Sequence, residues 1–177
     1  MGASVALAAR RRGDDVVGWD PEPEALAAAV AREALDPAGS LDEAAQDAEL
    51  VVVAAPIAQL ASTVAAVLAA TSDATVTDVG STKASVVAAA NGSPRFVGGH
   101  PICGSETRGA ENATATLFEN ATWFLTPVAH TDPDRHRTVH GFVSDLGATP
   151  VAIDADAHDR LVAMTSHVPH VLANIVA

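Results

Sequence analysis

A chain of 177 residues with 49% hydrophobic content can bury one ordinary core and begin a further unit, which excludes global disorder. Its formal charge of −12, with Lys83 as sole lysine, leaves no polybasic surface for nucleic acid or anionic lipid, and the lack of tyrosine argues against a stacking platform for single strands. One cysteine, Cys103, excludes an internal disulfide and a Cys-cluster zinc site; with no legible secretory signal, a cytoplasmic location is expected.

Met1-Gly2-Ala3-Ser4 leads straight into Val5–Arg12, whose apolar run to Ala9 is too short to span a bilayer and reads as the first turns of a soluble helix. A helix is launched from something. In a dinucleotide-binding βαβ unit that is a strand followed by G-x-G-x-x-G, with the pyrophosphate at the helix N-terminus. Gly2 occupies the place of the third glycine, so the first, central strand and the rest of the motif, about ten residues, are expected to be absent. Asp20 closes the next predicted strand, Asp15–Trp19, where an acidic residue binds the ribose 2′-hydroxyl about 20 residues beyond the motif. A turn-initiating Asp-Pro is the plainer alternative.

Further along, helices are predicted at Glu22–Ala34, Ser40–Ala45, Gln59–Ala70, Lys83–Ala90 and Pro133–Leu146, several with an N-cap or early acidic residue such as Ser40, Asp42 or Asp132. Strands are predicted at Leu50–Ala54, Thr75–Val79, Phe96–Gly98, Thr122–Leu125 and Pro150–Ile153. Nearly continuous apolar strands alternating with helices give an α/β class, a Rossmann-like and mostly parallel sheet with helices on both faces. Residues 1–154 form the dinucleotide-binding domain in this reading. Ala155–Ala177 starts acidic and keeps apolar spacing to its last residue, interrupted by Pro169, and reads as the start of a C-terminal helical domain.

Three segments could carry chemistry. Gly80-Ser81-Thr82-Lys83 follows a strand and feeds a helix, a turn able to hold an anion or hydroxyl, though Ser81 or Thr82 could equally be a plain N-cap. In Gly98-Gly99-His100-Pro101 the glycines allow close backbone approach and the proline restricts His100 to extended geometry, presenting an imidazole able to act as base near neutrality; a structural loop histidine is the alternative. His158-Asp159-Arg160 and Ser166-His167-Val168-Pro169-His170 read as a polar wall in preference to a metal site, so no metal is expected. Cys103 is expected to be a small buried thiol.

Taken in order, Asp78-Val79-Gly80-Ser81-Thr82-Lys83, Gly99-His100-Pro101-Ile102-Cys103-Gly104-Ser105-Glu106, His158-Asp159 and Ser166-His167-Val168-Pro169-His170 resemble prephenate and arogenate dehydrogenases. The resemblance implies NAD(P)-dependent oxidative decarboxylation of prephenate to 4-hydroxyphenylpyruvate in tyrosine biosynthesis, with arogenate as alternative substrate. His100 would take the proton of the ring hydroxyl and Ser81 would bind near it. Glu106 would order the active-site mouth, and His167 with His170 would line the substrate side. Gly2, Asp20, Ala55, Pro56 and Ser81 would contact the cofactor, with Asp20 favouring NAD because a carboxylate repels a 2′-phosphate. A homodimer through the C-terminal helical domain is implied for the full-length protein. A 3-hydroxy acid dehydrogenase should show a lysine-centred helix later in the chain, which sole Lys83 does not provide, and a catalytically silent nucleotide-binding fragment is the non-enzyme alternative.

Overall fold

The computed structural model describes residues 1–104 and 109–167, the side chains of residues 166 and 167 excepted. Its elements alternate as the apolar pattern requires: α1 (Gly2–Arg12), β1 (Val17–Gly18), α2 (Pro23–Ala31), β2 (Asp36–Pro37), α3 (Leu41–Gln46), β3 (Leu50–Val53), α4 (Ile57–Ala70), β4 (Thr75–Asp78), α5 (Ala84–Ala89), β5 (Phe96–Ile102), β6 (Thr122–Thr126), α6 (Pro133–Asp145), β7 (Thr149–Ala152) and α7 (Ala155–Val162). A π-helical turn, Ala163–His167, continues α7. Among the described residues no helix is long and apolar enough to cross a membrane.

Strands β3-β4-β5-β6-β7 lie side by side in that order, parallel at every junction except β5–β6. β1 and β2 pair in parallel as a separate ladder. One face of the larger sheet is covered by α4 and α5, through Leu60, Val64, Val67 and Val86 packed with Val53, Val76 and Phe96. On the other, α1 and α6 contribute Val5, Ala8, Ala9, Val139, Phe142 and Val143 around Phe118, Trp123 and Leu125. Helices on both faces bury the central strands on both sides, which is why β4 carries no exposed residue at all.

Local signals act as read at several ends. Ser40 Oγ accepts from the Glu43 N–H and Asp132 from the Asp134 N–H, each capping its helix. Arg10, Arg11 and Arg12 sit in the last turn of α1 and pair with Asp36, Glu119 and Asp145, favourable to the helix dipole and tying α1 to its surroundings.

Two differences stand out. β2 is absent from the sequence reading because a two-residue Asp-Pro strand carries no apolar pattern; it exists only through its ladder with β1. β5 is longer than the predicted Phe96–Gly98 and takes in His100, paired across to Phe124 of β6 in the antiparallel register. The histidine expected on a loop therefore stands on a strand. Pro101 does not end that strand; it stays in register opposite Trp123 of β6.

That register demands small residues. A Cβ on Gly99 would lie 2.5 Å from the Asp78 carbonyl oxygen and 2.9 Å from Trp123 Nε1, and one on Gly98 would lie 2.3 Å from Thr126 Oγ1. Backbone cannot move aside as a flexible side chain can. G99A is expected to lower stability by about 1–3 kcal/mol, the usual cost of overpacking, read as a lower urea midpoint at unchanged slope.

Candidate active site

Of the sequence-predicted residues, Gly2, Asp20, Ala55, Pro56, Ser81 and His100 are fully described; Asp20, Ala55, Pro56 and Ser81 follow the carboxyl ends of parallel strands, the end at which open α/β sheets bind ligands. Gly2 opens α1 close against the residue that follows β3: a Cβ there would lie 2.9 Å from Ala54 Cβ. Ala55 and Pro56 come next, with Pro56 as the N-cap of α4. The N-terminus of α1, like those of α4 and α5, has no side-chain cap and no acidic residue in its first turn, whereas α2, α3, α6 and α7 each carry an acidic residue there. Exposed backbone N–H groups at the positive end of a helix dipole, unopposed by a carboxylate, suit a phosphate. Asp20 is exposed just past β1, its carboxylate accepting from the Glu22 N–H. One carboxylate oxygen thus makes the local turn bond that the plain Asp-Pro reading expects.

Beyond β4 the chain turns through Gly80, which packs where a Cβ would lie 2.0 Å from Leu60 Cδ2. Neither Ser81 nor Thr82 caps α5. The N-cap residue is Lys83, without a side-chain cap of its own, and the free N–H groups of Lys83 and Ala84 donate to Asp159 of α7 at 2.8 and 3.0 Å. The cap thus arrives from a residue 76 positions away, leaving the Ser81 hydroxyl half-buried at the strand end.

Lys83 itself is fully buried and pairs with the equally buried Asp78, while its Nζ also donates to the Gly99 carbonyl at 2.7 Å. Asp78 accepts further from the Gly80 and Gly99 N–H groups. Burial pushes the Asp78 carboxyl up and the Lys83 ammonium down, and the attraction of each for the other is the main force opposing this. The pair locks the end of β4 to the backbone beside His100.

His100 is half-buried, and its Nδ1 lies 2.9 Å from Nε2 of His158, which is fully buried. The two rings meet edge to face at 5.1 Å, and Phe124 holds the His158 ring from another side at 5.5 Å. His158 Nδ1 in turn lies 2.8 Å from Asp159 Oδ1. Burial pushes the Asp159 carboxyl up, yet hydrogen bonds from the Ala84 N–H, His158 and the Lys83 N–H outweigh it and hold the group below its ordinary range. A continuous chain of hydrogen bonds therefore runs from the turn after Ser81, through Asp159 and His158, to His100.

Half-buried Cys103 packs against the core and burial pushes its thiol pKa up, the opposite of what a thiolate nucleophile needs. Glu106 and His170 lie outside the described residues, as does the side chain of His167, whose backbone ends the π-helical turn. Among the described residues no three His, Cys, Asp or Glu side chains are grouped to hold a metal.

Over residues 5–152 the chain matches the family model described as prephenate dehydrogenase, nucleotide-binding domain. The chain belongs to the prephenate dehydrogenase family. Prephenate dehydrogenase of Bacillus subtilis (strain 168) is 32% identical over 182 residues, covering 98% of this chain and 49% of that protein. The crystal structure of Aquifex aeolicus prephenate dehydrogenase in complex with hydroxyphenyl propionate and NAD+ has a TM-score of 0.91 at 31% identity, over 99% of this chain and 64% of that one. Synechocystis arogenate dehydrogenase gives 0.87 at 30% identity, over 94% and 61%. The chain spans about half the length of the curated relatives it matches.

Within this prephenate dehydrogenase family domain, sequence reasoning points to His100 and Ser81 and reads His158-Asp159 as part of a polar wall, without their link to His100, and it gives Asp78 and Lys83 no role. What spacing does not show is that His158 reaches His100 and that Asp159 caps α5, since those partners lie 58 and 75–76 positions away. Nor does it show the Asp78–Lys83 pair, because spacing alone does not reveal that both side chains are buried.

Proposed function

We propose that this chain is the nucleotide-binding half of an NAD+-dependent dehydrogenase that converts prephenate to 4-hydroxyphenylpyruvate and carbon dioxide. The observation that carries the reading is the bonded chain Asp159–His158–His100, which ties an imidazole on β5 to the helix start that follows the Ser81 turn. Family membership supports the substrate class.

The N-terminus of α1 at Gly2 would receive the cofactor pyrophosphate, Asp20 the ribose hydroxyls, and Ala55, Pro56 and Ser81 the stretch towards the nicotinamide. When bound, NAD+ supplies the acceptor for the carbinol hydrogen, which leaves the substrate as hydride. His100 takes the hydroxyl proton as the carbonyl forms, with Ser81 hydrogen-bonding at the same oxygen. Loss of the ring carboxylate as carbon dioxide leaves its bonding pair in the ring, which becomes a phenolate. His100 then returns its proton to the phenolate oxygen, so the histidine ends as it began and no net proton is released. Glu106 would order the mouth of the site and His167 and His170 would line its substrate side.

Arogenate is the second reading, favoured by the likeness to the Synechocystis arogenate dehydrogenase. The two substrates differ at the side chain, away from the hydroxyl that His100 addresses. The family match closes at residue 152 and Asp154 caps α7, which supports 1–154 as the nucleotide-binding domain and 155–177 as the opening of a helical one that would form the homodimer.

Titrating the 177-residue chain with NAD+ and NADP+ by calorimetry tests the cofactor half of the reading. NAD+ is expected to bind more tightly than NADP+. D20A should narrow that preference by about tenfold, one charged contact's worth of about 1.4 kcal/mol. Absence of binding to either cofactor would overturn the reading in favour of a silent fragment. Assay of the full-length enzyme on both substrates tests the other half.

A further inference from the structure

We infer that Asp159, acting through His158, fixes the ring tautomer of His100, so that Nδ1 carries the hydrogen and Nε2 the lone pair. The inference rests on the reading of His100 as the base and specifies which nitrogen does the work. It makes His158 and Asp159 positioning residues.

The direction follows from what each group can do. An ionised carboxylate only accepts. Asp159 Oδ1 accepts from the Lys83 N–H at 2.8 Å and Oδ2 from the Ala84 N–H at 3.0 Å, and these backbone donors keep the group ionised and oriented. His158 Nδ1, 2.8 Å from Oδ1, must therefore be the donor. In a neutral His158 that leaves Nε2 as an acceptor. The 2.9 Å approach of His100 Nδ1 is then a hydrogen bond only if His100 Nδ1 bears the hydrogen; two facing lone pairs would repel. With its hydrogen committed at Nδ1, neutral His100 has its basic lone pair at Nε2.

His158 cannot readily turn to undo this order. It is fully buried, with His100 at one ring edge and Phe124 at another. The nearby Asp78–Lys83 pair is internally compensated and supplies no competing acceptor to His158 among the described contacts. A ring in solution prefers hydrogen at the other nitrogen, so the protein spends part of this network on holding the useful tautomer. Protonation of Nε2 during turnover would then create a cation linked through His158 to the Asp159 carboxylate, which stabilises it.

Ring nitrogen spectroscopy of the 177-residue chain labelled with 15N-histidine tests this without substrate or cofactor, at about pH 8.5 where imidazoles are neutral. H100N assigns the His100 signals by their loss. The expected wild-type pattern is a protonated, pyrrole-type Nδ1 and an unprotonated, pyridine-type Nε2 for His100. In D159A no carboxylate fixes the His158 hydrogen at Nδ1, and the His100 signals should shift towards the hydrogen-on-Nε2 form that a free ring prefers. H158Q keeps an oxygen to accept from His100 and an NH2 to donate to Asp159, and should retain the wild-type pattern; H158L should lose it. A wild-type His100 with hydrogen on Nε2, or an unchanged pattern in H158L with a native melting transition, would overturn the inference. If D159A does not fold, the two His158 variants decide. A correct tautomer without NAD+ binding would sink the dehydrogenase reading alone, and the converse result would sink this inference alone.

Discussion

H100N in the full-length enzyme is expected to lower kcat by about 10²- to 10⁴-fold, the range for a positioned acid–base group, with NAD+ affinity changed by no more than a few-fold. Asparagine fills a similar volume and can still accept from a hydroxyl, so it removes proton transfer while leaving most contacts in place. Its side chain also retains a donor for His158 Nε2, which limits collateral damage to the buried ring. Steady-state kinetics over a range of pH is the measurement. The wild-type enzyme should lose kcat/KM on the acid side as His100 becomes protonated, and that limb should vanish in H100N. A kcat within a few-fold of wild type would remove His100 from the role of base and with it the proposed reaction path.

K83M is expected to be the most destabilising single change at the site, at about 3–5 kcal/mol, because it strands a buried carboxylate. Asp78 and Lys83 both have no exposed surface, and the methionine chain matches the lysine stem closely, so the loss reports charge rather than volume. The Gly99 carbonyl loses its Nζ donor as well, which loosens the strand that carries His100. D78N/K83M should recover part of the stability, since no uncompensated charge remains and the asparagine oxygen can still accept from the Gly80 or Gly99 N–H. Urea unfolding of the two single variants and the double variant closes the cycle. Additive losses, with no recovery in the double variant, would show that the pair contributes through packing alone.

Much of this domain was readable before any coordinates. Strand and helix alternation is encoded locally, because buried parallel strands need continuous apolar runs such as Leu50–Val53 and surface helices need spaced ones such as Leu60, Val64 and Val67. Caps at Ser40 and Asp132 act over three residues and were legible for the same reason. His100 and Ser81 stood out because glycine and proline beside them constrain the backbone within the same short window.

What tertiary structure alone decided were relations between residues far apart in sequence. The strand around His100 extends to Ile102 because β6 pairs with it, and β2 exists because β1 lies beside it. The cap of α5 comes from Asp159, although Ser81 and Thr82 were the local candidates, and burial joins Asp78 to Lys83 as an ion pair. A sequence window reports backbone preference and apolar spacing, which are properties of neighbouring residues. Hydrogen-bond partners and buried charges depend on which side chains the folded sheet brings within about 3 Å, and that is fixed only once the chain has closed on itself.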